Sequence, residues 1–451
     1  MDVGERIRGC LAVGAVGDAL GAVVEFDALD EIRGRFGSLG VTEPGMGARF
    51  TDDTQMTLFT VEGLIRASVR GRCRGVCHPP AVVWRAYQRW LWTQGVAWEE
   101  VVGSDVEFFP EPTGWLAYDR RLHRREAPGA TCLAAVGGRR MGTRGEPVND
   151  SKGCGGVMRA APAGFLADRL GLDGVYELGC DLAALTHGHP GGWQPAGVLA
   201  AMVASLLDGS TVVEAARCAL ALTSLALRSR LEVAVSLAEA GAVCPETIEA
   251  ELGAGWVGDE ALAVAVACAA GFDDPLEALR ASVNHSGDSD STGSICGQLL
   301  GAAHGPEASR SLVGPGGCDG AGGDRRGRRG PGVDRPAETG SPSSGRFARR
   351  CGHGLRRRGV AGVVVVAVSG MLSERAVPAG GLSPELVAMV RRRAPEGCPV
   401  VAGSTPVVAF GDPTGAEVAT LGINPSVREF AVGGKLLEGT ARRRHTPPAP
   451  G

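Results

Sequence analysis

The chain has 451 residues and a net charge of −4, so neither size nor charge calls for a nucleic-acid or membrane partner. A hydrophobic content of 44 % with only 5 % aromatics predicts a core built mainly from Ala, Val and Leu. Thirteen cysteines, odd in number and mostly in apolar contexts such as Cys180, Cys218, Cys268 and Cys296, argue against a disulfide framework and for reduced thiols in the cytoplasm.

The start, Met1-Asp2-Val3-Gly4-Glu5, is acidic, unlike a secretory leader. Ile7, Leu11, Ala15 and Ala19 then recur at helical spacing. Thr51 reads as the cap of a second apolar stripe, Met56, Phe59, Leu64 and Ala67, with Asp52 and Asp53 in its first turn. Cys73-x3-Cys77-His78 follows, but no second Cys/His pair stands at finger spacing, so zinc is not read there. Trp84, Gln88, Leu91 and Trp92 predict a third helix. Further helical stretches are expected over 182–185, 196–207, 212–227, 231–240, 260–270 and 294–303. Alternating strand patterns are scarce, so residues 1–305 are expected to form a compact, orthogonal, multi-helix all-α domain.

Composition shifts after Gly305. Residues 306–371 are dominated by Gly, Pro, Ser and Arg and read as a disordered or frameshifted segment. The apolar run from Val360 to Val368 is broken by Gly362 and is too short for a membrane span, which takes roughly 20 residues. A helix over 384–393 and strands at 407–410 and 418–421 are expected next, making residues 372–451 a short α/β-like fragment.

Five stretches carry candidate chemistry. Thr51-Asp52-Asp53-Thr54 and Asp288-Ser289-Asp290-Ser291 each place two carboxylates and hydroxyls at a helix start, a donor set suited to hard divalent cations. An EF-hand reading of the second fails, because Leu299 stands where the loop needs its bidentate Glu. Gly17-Asp18-Ala19-Leu20-Gly21 with Glu25-Phe26 reads either as close helix packing beside a surface Glu or as part of a site. In Gly153-Cys154-Gly155-Gly156-Val157-Met158-Arg159, consecutive glycines can offer N–H groups to a phosphate, although no Walker Gly-Lys-Ser/Thr is present. Thr186-His187-Gly188-His189-Pro190 supplies histidines better placed to touch a ligand than to hold a metal in oxygen-rich surroundings.

In this order, the five motifs resemble the ADP-ribosylglycohydrolase family over residues 4 to about 305. The resemblance implies an all-α fold with a dinuclear Mg²⁺ or Mn²⁺ centre held by Thr51, Asp52, Asp53, Asp288, Asp290 and Ser291. It implies Glu25 as ligand, gate or acid/base partner, with Asp53 sharing the catalytic role. The Gly155-Gly156 loop with Met158 and Arg159 would face the diphosphate or ribose, and His187 would line the ADP-ribose cleft. The implied reaction is hydrolysis at the anomeric carbon, releasing ADP-ribose from a protein or small-molecule acceptor. Ser291 stands where the family commonly has Thr, retaining a hydroxyl. The matching part stops short of the family's usual helical ending, which implies a truncated domain and leaves a non-catalytic ADP-ribose binder, or a misfolded frameshifted product, as alternatives. Residues 372–435 are similar to the opening part of uracil-DNA-glycosylase-like proteins, through Gly411-Asp412-Pro413 and Gly422-Ile423-Asn424-Pro425, and are expected to be a fragment without activity. Acceptor, choice between Mg²⁺ and Mn²⁺, and oligomeric state are not legible here. The tail arginines between 325 and 358 imply at most salt-sensitive, nonspecific contact with nucleic acid.

Overall fold

The computed structural model describes residues 1–45, 49–309 and Leu312, and the backbone of four short strands beyond them. The helices are α1 (Val3–Gly21), α2 (Leu29–Phe36), α3 (Asp52–Arg74), α4 (Pro79–Thr93), α5 (Trp98–Val102), α6 (Ala130–Gly137), α7 (Ala167–Ala184), α8 (Pro190–Leu207), α9 (Val212–Leu220), α10 (Leu225–Glu239), α11 (Pro245–Thr247), α12 (Gly258–Gly271), α13 (Pro275–Ala281) and α14 (Ser289–His304). Their ends follow capping chemistry. Asp2 accepts from the Glu5 N–H at 2.8 Å to start α1. Thr211 and Glu214 form a capping box on α9. Proline opens α4, α8 and α13, where a missing N–H costs nothing. Gly75, at φ +76°, ends α3 in a left-handed cap.

The fold between residues 3 and 304 is all-α, as the periodicity predicts. Two details differ. The single helix expected over 212–227 is broken into α9 and α10, because Thr223 and Ser224 favour turn and cap positions over a helix interior. The Ser224 hydroxyl leaves the helix path and donates to Gln194 Oε1 at 2.7 Å. The body also continues past Gly305: Pro306–Ser309 form a 3-10 turn that packs on α1, with Ser309 buried. The remainder of the segment expected to be disordered or frameshifted, and the helix expected over 384–393, lie outside the described residues. The two strands expected in the tail are present as β1 (Val408–Phe410) and β2 (Ala419–Leu421), paired antiparallel with Ala409 opposite Thr420. β3 (Ala431–Val432) and β4 (Lys435–Leu436) form a second antiparallel pair. Among the described residues ten cysteines are free, and no helix is long and apolar enough to cross a membrane.

Two cores hold the helices. The larger is the expected Ala/Val/Leu core, built on α1, α8, α12 and α14. The second concentrates the scarce aromatics: Phe59, Trp84, Tyr87, Trp90 and Trp98 pack between α3, α4 and α5. Composition alone did not predict this segregation. A buried ion pair, Arg89 to Glu62 at 2.8 Å, ties α4 to α3 within it.

α1 and α14 are antiparallel and meet backbone to backbone. Gly9, Val13, Gly17 and Gly21 face Gly301, Gly297, Gly293 and Ser289, a four-residue repeat on both sides. A Cβ on Gly301 would fall on the Gly9 carbonyl oxygen, and one on Gly297 on that of Val13. This seam puts the C-terminal end of α1 beside the N-terminal end of α14. An open helical glycine gains up to about 1 kcal/mol when replaced by Ala, whereas overpacking costs about 1–3 kcal/mol. Gly297→Ala is therefore expected to lower stability in urea unfolding, while Gly34→Ala in α2, with open space at its Cβ, should raise it. The same sign for both variants would contradict the seam.

Candidate functional site

The site begins with Asp18, the last-turn carboxylate of α1. It is fully buried and accepts from the Thr51 N–H at 2.8 Å, the Thr54 N–H at 3.0 Å and the Thr54 hydroxyl at 2.5 Å. Asp18 thus caps α3 from a neighbouring helix. Sequence reading quoted it within its motif but assigned it no role. A carboxylate among the buried small residues of α1 was the available signal, since an acid at such a position is rarely buried without a task.

Thr51, Asp52 and Asp53 follow at the start of α3, each under 5 % exposed. Asp52 is held twice, its N–H donating to the Glu126 carbonyl at 3.0 Å and its Oδ2 accepting from the Gly129 N–H at 3.1 Å. Asp53 lies deeper, and its Oδ1 has no hydrogen-bond partner. From the far end of the domain, α14 brings Asp288, Asp290 and Ser291, all buried. The Asp288 N–H donates to the Ala254 carbonyl at 2.9 Å, and its Oδ2 accepts from the Cys154 thiol at 2.7 Å. Asp290 Oδ1 accepts from the Ser291 N–H at 2.8 Å. Cys154 is the second residue that sequence reading left without a role; it ties the glycine loop to the α14 cluster.

The clusters act on one another electrically. Burial, reinforced by Asp290, pushes the Asp18 carboxyl up to about 7. Burial raises Asp52 to about 8 against the Gly129 hydrogen bond, with Asp290 and Asp18 adding to the rise. Asp53 and Asp288 are driven well above the ordinary carboxylate range by burial and by Asp290. Glu25, on the turn after α1 and only partly buried, rises to about 9 through burial and through Asp290, Asp288, Asp52 and Asp18. Among the described residues none of these acids forms an ion pair with Arg or Lys; buried acids so placed need either protons or a cation. The helix starts of α3 and α14 both bring their positive dipole ends to the cluster. Hard oxygen donors, an unpartnered buried Asp53 oxygen and the lack of basic partners fit a divalent cation. The shell is not closed, however: among the described residues no three His, Cys, Asp or Glu side chains are gathered around one point as an ion would require. Separate tethers hold Asp18 on Thr51 and Thr54, Asp52 on Gly129 and Asp288 on Cys154, and like charge opposes their convergence.

At the rim, Phe26 takes φ +73° and stacks on Trp256, with ring centroids 5.3 Å apart; both rings are exposed.

The glycine loop lies alongside. Gly153 bridges to Val257, and the Cys154 N–H donates to the Trp256 carbonyl at 3.2 Å. Cys154–Gly156 then form a 3-10 turn whose first internal bond is from the Val157 N–H, so the N–H groups of Gly155 and Gly156 precede it. Met158 and Arg159, expected to face a diphosphate or ribose, are instead buried beneath the loop. Met158 is 2 % exposed, and its carbonyl accepts from Gln298 Nε2 at 2.7 Å. Arg159 is 1 % exposed, lies 4.4 Å over the Tyr87 ring, and donates to Thr186 Oγ1 at 2.5 Å and Cys132 Sγ at 3.1 Å. A guanidinium so enclosed by ring, hydroxyl and thiol does not reach the cleft. His187 is also 1 % exposed and packs against Gly153, Gly155 and Gly156. Burial, and then the charge of Arg159, hold its pKa down to about 3.

A model of the ADP-ribosylglycohydrolase family matches residues 1–311. A solved structure described as an ADP-ribosylglycohydrolase-related protein complex is 24 % identical, with 69 % of this chain and 91 % of that chain covered and a TM-score of 0.44. No curated protein matches the chain. The family match takes in both acidic helix starts, the glycine loop and the Thr186-His187 turn, and the chain belongs to the ADP-ribosylglycohydrolase family.

Proposed function

We propose that this chain hydrolyses the glycosidic bond between ADP-ribose and an acceptor, with two Mg²⁺ or Mn²⁺ ions held by Thr51, Asp52, Asp53, Asp288, Asp290 and Ser291. The observation that carries this reading is the meeting of two acid-bearing helix starts, 235 positions or more apart in the chain, with no Arg or Lys paired to them among the described residues. Bound there, such ions supply Lewis acidity toward ribose hydroxyls and an activated water.

The chain's own residues have separate tasks. Asp18 keeps the first turn of α3 in place through Thr51 and Thr54. Glu25 is the most accessible of the acids, and burial, then the neighbouring acids, push its pKa up in the cation-free chain. On this reading it gives a proton to the departing acceptor as the C1–acceptor bond breaks with oxocarbenium character. Water then adds at C1 and loses a proton to a carboxylate, for which Asp53, with its unpartnered oxygen, is the candidate. On this reading the N–H groups of Gly155 and Gly156 take phosphate oxygens.

Asp290→Ala is expected to lower metal-dependent release of ADP-ribose by more than about 100-fold, beyond what loss of an outer-shell partner costs. Unchanged turnover would end the proposal. Calorimetric binding of ADP-ribose by the unaltered chain with no turnover would leave a binding protein instead.

A second expectation concerns pH. Asp18, Asp52 and Glu25 have folded pKa values of about 7, 8 and 9, above their unfolded values near 4. The folded chain without cations then holds protons that the unfolded chain has lost. Through these three groups, stability falls as pH rises from about 4 to about 9. In chelator the melting temperature should be lower at about pH 8.5 than at about pH 5.5, and added Mn²⁺ should raise it more at the higher pH. Equal Mn²⁺ effects at both pH values would contradict a cation bound among these acids.

A further inference from the structure

His187 is a buried imidazole with one satisfied nitrogen. Its Nδ1 lies 2.9 Å from the Thr186 hydroxyl. That hydroxyl already accepts from Arg159 Nη2 at 2.5 Å. Arg159 has only donors, so the Thr186 oxygen must accept there and its own proton must go elsewhere. Cys132 is the other neighbour, but a thiol sulfur is a weak acceptor beside an imidazole nitrogen. Its sulfur also accepts from Arg159, and its own proton is directed to the Gly155 carbonyl. The Thr186 proton therefore goes to Nδ1, which leaves the ring proton on Nε2.

Nε2 has no protein partner among the described residues. It lies beside the places that a Cβ on Gly155 or Gly153 would take, 3.2 and 3.6 Å from those ideal positions. The absence of side chains at 153 and 155 keeps that nitrogen uncovered. Nε2 is not among the fully enclosed unpartnered side-chain atoms, so this edge of the ring keeps some access from outside, and its N–H can donate to a ligand oxygen. Asn149 holds the turn in place, donating to the Thr186 carbonyl at 2.8 Å and accepting from the Gly188 N–H at 3.1 Å.

We propose that Arg159 and Thr186 are positioning residues that lock His187 in its neutral Nε2–H tautomer, presenting that N–H to an oxygen of a ligand lying on the Gly153–Gly155 loop. The identity of the ligand rests on the ADP-ribose reading above; the tautomer does not. Arg159, expected from the sequence to touch the ligand, acts on it through two intervening residues, Thr186 and His187.

Nitrogen-15 imidazole spectra of the full chain, with the His187 signal identified by its loss in His187→Gln, report the tautomer directly. The unaltered protein should show Nε2–H only. Thr186→Val keeps the shape but removes the relay; it should mix the tautomers and raise the Kd for ADP-ribose about tenfold, and Thr186→Ser should restore both. An Nδ1–H signal in the unaltered chain overturns the proposal, even if Thr186→Val fails to fold. So does a folded Thr186→Val with unchanged tautomer and Kd. A chain that shows the Nε2–H tautomer but binds no ADP-ribose upholds the relay and overturns the assigned ligand.

Discussion

The contact between α1 and α14 is the constraint from which the site follows. The two helices come from opposite ends of the folded body, and their four-residue rows of small residues allow carbonyl oxygens on each helix to lie where the other would carry a Cβ. Small-residue rows of this kind fix not only distance but also axial register, because each glycine matches one carbonyl. Register decides that Gly21 is level with Ser289, and hence that the turn carrying Glu25 reaches the acids of α14. A slip of one helical turn, about 5.4 Å, would separate carboxylates that now raise one another's pKa.

That proximity is costly, and the fold arranges partial compensation. Asp18 is stabilised by N–H and hydroxyl donors from α3, and Asp52 by Gly129. Asp288 receives a thiol hydrogen bond in place of a basic partner. Two helix dipoles converge on the cluster with their positive ends. None of these supplies a full positive charge, so burial leaves these acids in need of protons or a cation. The tethers explain why the acids are gathered yet do not close around a point.

The glycine loop shows how neighbouring members of one motif come to have different surroundings. Gly155 and Gly156 are glycines because His187, Gly192 and Ala183 crowd against them. Met158 and Arg159 follow in the same motif, but the 3-10 turn reverses the chain and directs them inward. A charged residue three positions past a glycine pair reads as a ligand contact only while the direction of that turn is unknown.

Much of this was legible in the residues. Helical periodicity, caps such as Thr51, and acids clustered in first turns depend on neighbours within one or two turns, so local sequence determined the all-α body, its helix starts and the two acidic sites. Which helices adjoin depends on contacts far apart in the chain. Only the tertiary structure decided that Asp18 caps α3, that Cys154 binds Asp288, that the aromatics form a core of their own, and that Arg159 is enclosed against Tyr87. Each of those outcomes is set by packing and desolvation between segments whose separation along the chain carries no record of their meeting.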